Sequence, residues 1–119
     1  MTLPSNNLEK TEHYMKSLWI AYVIGINEFI KSNHQSIRRI EDKQIGFWFI
    51  KPVNNTVDIQ QVKDKLMFYL WDSVFARDKK PLENLLSTED KPVKLTQYSD
   101  FLELTDMFMN KMLEFYDRF

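Results

Sequence analysis

The 119-residue chain has no cysteine and only two glycines, Gly25 and Gly46. The lack of cysteine excludes disulfides, thiolate nucleophiles and cysteine-based zinc sites, and it leaves the redox compartment open. Phosphate-binding loops of the Walker and dinucleotide types need at least two glycines within a few residues, so both are excluded. The longest apolar run, residues 18–26, is far shorter than the roughly 20 residues that span a membrane.

The chain also has little excess of charge, since 16 basic and 17 acidic side chains give a formal net charge of -1. A hydrophobic content of 44% and an aromatic content of 14% argue against a disordered chain. The length suits one hydrophobic core, so we expect residues 1–119 to form a single domain. Residues 1–10 are polar and predict no signal peptide. We therefore expect a cytoplasmic protein that does not contact a membrane.

Three segments have the apolar spacing of amphipathic helices. They are residues 8–32, residues 58–76 and residues 99–116. Asp58 followed by Gln61 matches a capping-box pattern and predicts the start of the second helix. A short helix is expected to begin near Pro81, because proline is favoured in the first turn of a helix.

Residues 45–51, with the sequence IGFWFIK, are the best candidate for a strand because they are aromatic-rich and end before Pro52. Both faces of such a strand would be apolar, so we expect burial on both sides and pairing with residues 93–95. Gly46 would permit a close backbone approach or a bulge within the strand. The predicted fold class is mainly α, with three to four helices packed around this two-stranded β element. An exposed aromatic side chain here would instead indicate an interaction surface.

No arrangement of side chains predicts catalysis. His13 and His34 each lack a second ligand at the spacing of a helical zinc motif, so we expect neither a metal nor a cofactor. Glu41, Asp42 and Asp72 could support acid–base chemistry only if two of them met in a cleft with a raised pKa. We therefore expect no catalytic residue and no enzymatic activity.

Charge is unevenly distributed along the chain. Residues 31–51 contain five basic and two acidic side chains, whereas residues 83–119 contain four basic and eight acidic ones. This arrangement is typical of an interface. An alternative hypothesis is a small nucleic-acid-binding regulator. Its basic patch would consist of Lys31, Arg38, Arg39, Lys43 and Lys51. Because the chain as a whole is slightly acidic, nucleic acid is the less favoured partner.

Residues 42–51 (DKQIGFWFIK), together with WIAYV at 19–23 and INE at 26–28, resemble the C-terminal lid subdomain of AAA+ ATPases. The relatives in question are like the GTPase subunit of 5-methylcytosine-specific restriction systems. The resemblance continues through residues 65–75 and ends near residues 94–101. It implies a helical module that packs beside a nucleotide site and against a neighbouring subunit of a ring.

At a segment like residues 42–49, the family often reads Asp-His-x-Ile-Gly-His-Ser-Tyr. Ile45 and Gly46 match, whereas Lys43, Phe47 and Trp48 replace polar residues of the family pattern. The family's nucleotide-binding core has no counterpart in this chain, so we expect no nucleotide hydrolysis by this chain alone. The sequence leaves open whether it is a fragment of a longer ATPase or a free-standing protein.

The first hypothesis is therefore a non-catalytic, AAA+ lid-like module for protein–protein interaction, in a defence or anti-defence setting such as restriction-modification. Its partner would be an AAA+ ATPase subunit or a second copy of the chain. The apolar helical faces of residues 19–30 and of the last helix are candidate docking surfaces. The individual interaction candidates are Trp19, Tyr22, Lys43, Gly46, Trp48 and Trp71.

Overall fold

The structure is a computed structural model that describes residues 13–118. It is mainly helical with a small two-stranded antiparallel sheet, which confirms the predicted fold class. The sheet pairs β1 (His13–Met15) with β2 (Thr56–Asp58). The helices in chain order are α1 (Lys16–Ser32), α2 (Ile40–Lys43), α3 (residues 59–74), α4 (Lys80–Leu86), α5 (Tyr98–Leu102) and α6 (Thr105–Arg118).

The predicted position of the two strands was wrong. Residues 44–52 form a loop containing a turn in which the Phe49 N–H donates to the Gly46 carbonyl at 3.1 Å, and residues 93–95 pair with no strand. Side chains of α1 bond to the loop backbone and satisfy polar groups that the strand prediction had assigned to a neighbouring strand. An aromatic-rich segment can therefore be held in place without forming a ladder.

Helix α1 starts later than predicted, at Lys16, because His13–Met15 pairs with β2. The part of the prediction that falls on residues 8–12 lies outside the described residues. The helix is apolar on most sides and contributes a large share of the core. Its buried residues are Trp19, Tyr22, Val23, Gly25, Ile26, Phe29 and Ile30.

Helices α1 and α6 come into backbone contact at Gly25. A Cβ atom at this position would lie 2.0 Å from the carbonyl oxygen of Met112. Ring contacts continue the packing, since Phe29 lies 6.1 Å from Phe108 and 5.2 Å from Phe115 between ring centroids. Gly25 is thus required by the close crossing of two helices.

Helix α3 confirms the second predicted helix and begins at the predicted cap, where the Asp58 side chain accepts from the Gln60 N–H. Most of it is wound as π-helix, over Val62–Met67 and Leu70–Val74. Four of its buried side chains recur every four residues, at positions 62, 66, 70 and 74. On an ordinary α-helix such a row drifts by about 40° per step. The π segments turn the row in the opposite sense and offset that drift.

The last predicted helix is divided into α5 and α6, with residues 103–104 between them. At the start of α5, the Asp100 carboxylate accepts from the backbone N–H groups of Thr96 and Gln97 at 3.0 and 3.1 Å. Helix α4 has Pro81 in its first turn, as predicted. The buried side chains of these helices join those of α1 and α3 in one continuous core.

Candidate functional site

The aromatic loop, residues 44–52, is attached to α1 by three hydrogen bonds. The Trp19 indole N–H donates to the Phe47 carbonyl at 2.9 Å. The Asn27 side-chain amide donates to the Ile45 carbonyl at 2.7 Å and accepts from the Ile45 N–H at 2.8 Å. Because one asparagine satisfies both backbone groups of Ile45, the loop has a defined position on the helix.

Helix α3 supports the other side of the aromatic loop. The Phe49 ring packs at 5.1 Å from the Tyr69 ring, and the Tyr69 hydroxyl donates to the Lys43 carbonyl at 3.1 Å. Burial raises the pKa of Tyr69, so its hydroxyl keeps the proton that it donates. The loop is therefore fixed between two helices, and its own Ile45 and Ile50 side chains are buried.

The same loop exposes two large aromatic side chains. Phe47 is 47% exposed and Trp48 is 66% exposed. This corrects the prediction that both faces of residues 45–51 are buried. The correction has a physical reason, since the loop turns at residues 46–49 and does not run between two layers. Anchored backbone with exposed aromatic side chains is the arrangement that we expect of a contact surface.

Beside these rings lies an apolar groove of about 150 Å³, here called the Trp48 groove. Its lining combines α1 with the aromatic loop and consists of Lys16, Trp19, Ile20, Phe47, Trp48 and Pro52. Met15 and Val53, next in the chain to two lining residues, are also exposed apolar side chains. The Lys51 ammonium lies 5.9 Å from the centroid of the Trp48 ring. Within the described part of the chain, no carboxylate lines the groove, so its electrostatic character is basic.

Three of the predicted interaction candidates belong to this region. Trp48 forms the exposed rim, Trp19 is fully buried and forms the floor, and Gly46 is exposed at the turn. The close backbone approach predicted at Gly46 is absent, because no heavy atom lies within 4 Å of a Cβ built there. Phe47 is not among the predicted interaction candidates, although it directly precedes Trp48.

The other three candidates have different surroundings. Tyr22 is buried and its ring packs at 4.9 Å from Tyr14. Trp71 is half-buried and stacks at 6.0 Å on Phe101. The Lys43 ammonium donates to the Ser73 hydroxyl at 2.9 Å and so points away from the Trp48 groove toward α3. None of these three lines the groove.

The five predicted nucleic-acid residues do not share one set of contacts. Lys31 pairs with Glu28, and Arg39 pairs with Asp42 at 3.3 Å. Lys51 lies beside the Trp48 ring. The remaining two line a separate polar cleft, which contains Arg38 and Lys43.

The three carboxylates considered for catalysis do not line one recess together. Asp72 lines the polar cleft, whereas Glu41 and Asp42 are exposed on α2 outside its lining. Among residues 13–118, no group of three histidine or acidic side chains is placed to hold a metal ion. Over the same range, no helix has the length and apolar character needed to cross a bilayer.

Comparisons with known proteins find no relative of this chain. Neither the protein-family models, nor the characterised proteins, nor the solved structures include a match to this chain. The geometry of the Trp48 groove is therefore the basis for interpreting the protein.

Proposed function

We propose that this protein is a non-catalytic docking module that binds a short segment of a partner protein in the Trp48 groove. The observation that carries the proposal is the exposure of Phe47 and Trp48 on a loop whose backbone is hydrogen-bonded to α1. Tryptophan is enriched among the residues that dominate binding energy at interfaces. A loop that is already ordered also lowers the entropic cost of binding.

The charge around the Trp48 groove indicates the chemistry of the partner segment. Lys16 lines the groove and Lys51 lies beside it, and no carboxylate of residues 13–118 is part of its lining. We therefore expect a segment with one large apolar side chain for the groove and acidic side chains for the two lysines. The groove is small, so the contact is in the range of weak, transient interfaces.

A peptide library displayed on phage tests this proposal with the full-length chain as the target. We expect selected peptides to combine an aromatic or aliphatic residue with Asp or Glu. Their affinity should fall about tenfold or more for Trp48→Ala, as for loss of an interface hot spot. Lys16→Glu combined with Lys51→Glu should weaken them further, with a reduced dependence on salt.

Phe68→Ala is the matched control, because Phe68 is 47% exposed, as Phe47 is, but lies on α3 outside the Trp48 groove. It should leave peptide affinity unchanged. Recovery of no binding peptide, or peptides that bind Trp48→Ala as well as the unmodified chain, would refute the proposal.

A second copy of the chain is the competing occupant. Two copies meeting through the same face would bring Lys16 and Lys51 of each toward those of the other, which is unfavourable. Sedimentation should therefore show a monomer, and a dimer lost in Trp48→Ala would replace the segment proposal. An AAA+ ATPase subunit as the partner, and nucleic acid as an alternative ligand, stay predictions from the sequence.

A further inference from the structure

A second recess lies between the segment that precedes α2 and the end of α3. It has a volume of about 260 Å³ and shares no lining residue with the Trp48 groove. We call it the basic cleft. Its polar lining comprises Ser36, Arg38, Lys43, Asp72, Ser73 and Arg77.

The basic cleft has an excess of positive charge. Arg38, Lys43 and Arg77 face one carboxylate, that of Asp72. Within residues 13–118, none of the three cations forms an ion pair, whereas the neighbouring Arg39 does so with Asp42. Like charges gathered around one recess repel each other, and an anion placed among them relieves that repulsion.

Part of this cleft is held in a fixed arrangement. The Lys43 ammonium donates to the Ser73 hydroxyl at 2.9 Å, and the Lys43 carbonyl accepts from the Tyr69 hydroxyl at 3.1 Å. An ammonium has three donors, so two remain for a ligand. Ser73 belongs to the π-helical turn Leu70–Val74, and Arg77 follows that turn three residues after its last member. One segment thus contributes both a hydroxyl and a guanidinium to the recess.

We infer that the basic cleft binds a single phosphate monoester group. Such a group carries between one and two negative charges at neutral pH and has three strong acceptor oxygens. Two guanidinium groups offer planar pairs of donors that match phosphate oxygens, and a lysine supplies a point charge. The cleft is smaller than the roughly 300–1,000 Å³ of pockets for drug-sized ligands. It therefore suits the phosphate and little of the molecule that bears it.

A run of phosphodiesters fits the arrangement less well. Extended nucleic acid is held by several cations along a track. Lys31, Arg39 and Lys51, which would have to continue such a track, do not line the cleft, and each has another contact. A cleft lined by three cations favours one terminal phosphate over a polynucleotide backbone.

Nuclear magnetic resonance titration of the full-length chain tests the inference, with inorganic phosphate and O-phosphoserine as separate probes. We expect saturable shifts at Ser36, Ser73 and the arginine side chains of the cleft. The double variant Arg38→Ala with Arg77→Ala should weaken phosphate binding about tenfold or more, since it removes two charge-assisted partners. Asp72→Asn should strengthen binding several-fold, because it removes the carboxylate that repels the anion.

Arg39→Ala is the matched control, because Arg39 lies next to Arg38 in the chain but outside the cleft. It should leave the phosphate titration unchanged. Asp72→Asn also distinguishes a binding role from a folding role, since loss of structure would not increase affinity. The inference is overturned by shifts that do not saturate, or by equal weakening in Arg39→Ala. It is also overturned if a single-stranded oligonucleotide binds more tightly with increasing length and steep salt dependence, which would indicate a nucleic-acid surface instead.

Discussion

Replacing Gly25 by alanine tests the packing of the two central helices directly. The new Cβ would lie 2.0 Å from the Met112 carbonyl oxygen and 2.9 Å from the Met112 carbonyl carbon. Both atoms belong to the backbone of α6, so no side-chain rotation can remove the clash. Helices α1 and α6 would have to separate by more than about 1 Å to restore ordinary contact distances.

Two opposing terms determine the size of the effect. Alanine in place of glycine stabilises a helix interior by about 1 kcal/mol. Overpacking of a dense core costs about 1–3 kcal/mol and sometimes more. If the two helices move apart by about 0.5–1 Å, the atoms along their interface lose about a quarter to a half of their dispersion attraction. The clash at Gly25 is with backbone, which places the cost at the upper end. We expect Gly25→Ala to lower the free energy of unfolding by about 2 kcal/mol.

Urea denaturation followed by tryptophan fluorescence and circular dichroism measures this change. With a slope of about 2 kcal/mol per molar urea, the midpoint should fall by about 1 M. Gly46→Ala is the matched control, because no heavy atom lies within 4 Å of its Cβ and its φ is not positive. It should leave stability unchanged or raise it by up to about 1 kcal/mol. A Gly25→Ala protein as stable as the Gly46→Ala protein would refute the close contact between α1 and α6.

Three further substitutions test other contacts. Asn27→Ala leaves the N–H and carbonyl of Ile45 without their partners and should cost about 2 kcal/mol in urea denaturation. Lys79→Met removes the ammonium that donates to the Trp71 and Phe75 carbonyls at the end of α3, and should cost about 1 kcal/mol. Hydrogen bonds from Thr96 and Gln97 lower the pKa of Asp100 below its ordinary 3.8. The Asp100 carboxylate therefore stabilises the fold above that value, and its contribution is lost as the pH falls through its folded pKa. Asp100→Asn should lower the melting temperature at pH 7, and the difference should shrink in acid.

Each of these has a result that contradicts it. An Asn27→Ala protein with unchanged stability would mean that the aromatic loop is held by its apolar contacts alone. Lys79→Met without effect would mean that water satisfies those carbonyls equally well. A difference for Asp100→Asn that is the same at pH 7 and in acid would show that charge does not matter there. Asp90→Asn, at an exposed loop position, is the control for the pH series.

Much of the helical layout could be predicted because its signals are local. Asp58 begins α3 and Pro81 lies in the first turn of α4, since capping and proline geometry act within one turn of helix. The π winding of α3 had no such local signal, because buried side chains at every fourth position also form a ridge on an ordinary α-helix.

The two strands could not be placed in the same way. Each has three residues, HYM and TVD, which is too short to show an alternating pattern. The aromatic loop, by contrast, has a sequence pattern that predicts the wrong structure. IGFWFIK has the composition of a buried strand but has no strand as a neighbour. Its backbone bonds to Trp19 and Asn27, which are 28 and 18 residues away from their partners in the chain.

From its order of residues alone, the chain determines where α3 and α4 begin, which helical faces are apolar, and which chemistries lack the necessary side chains. Only the tertiary structure decides that Phe47 and Trp48 face outward, and that Arg38, Lys43 and Arg77 meet in one cleft. The reason is physical. Helix caps and apolar spacing act over a few residues, whereas exposure and the meeting of charges depend on how distant segments pack together.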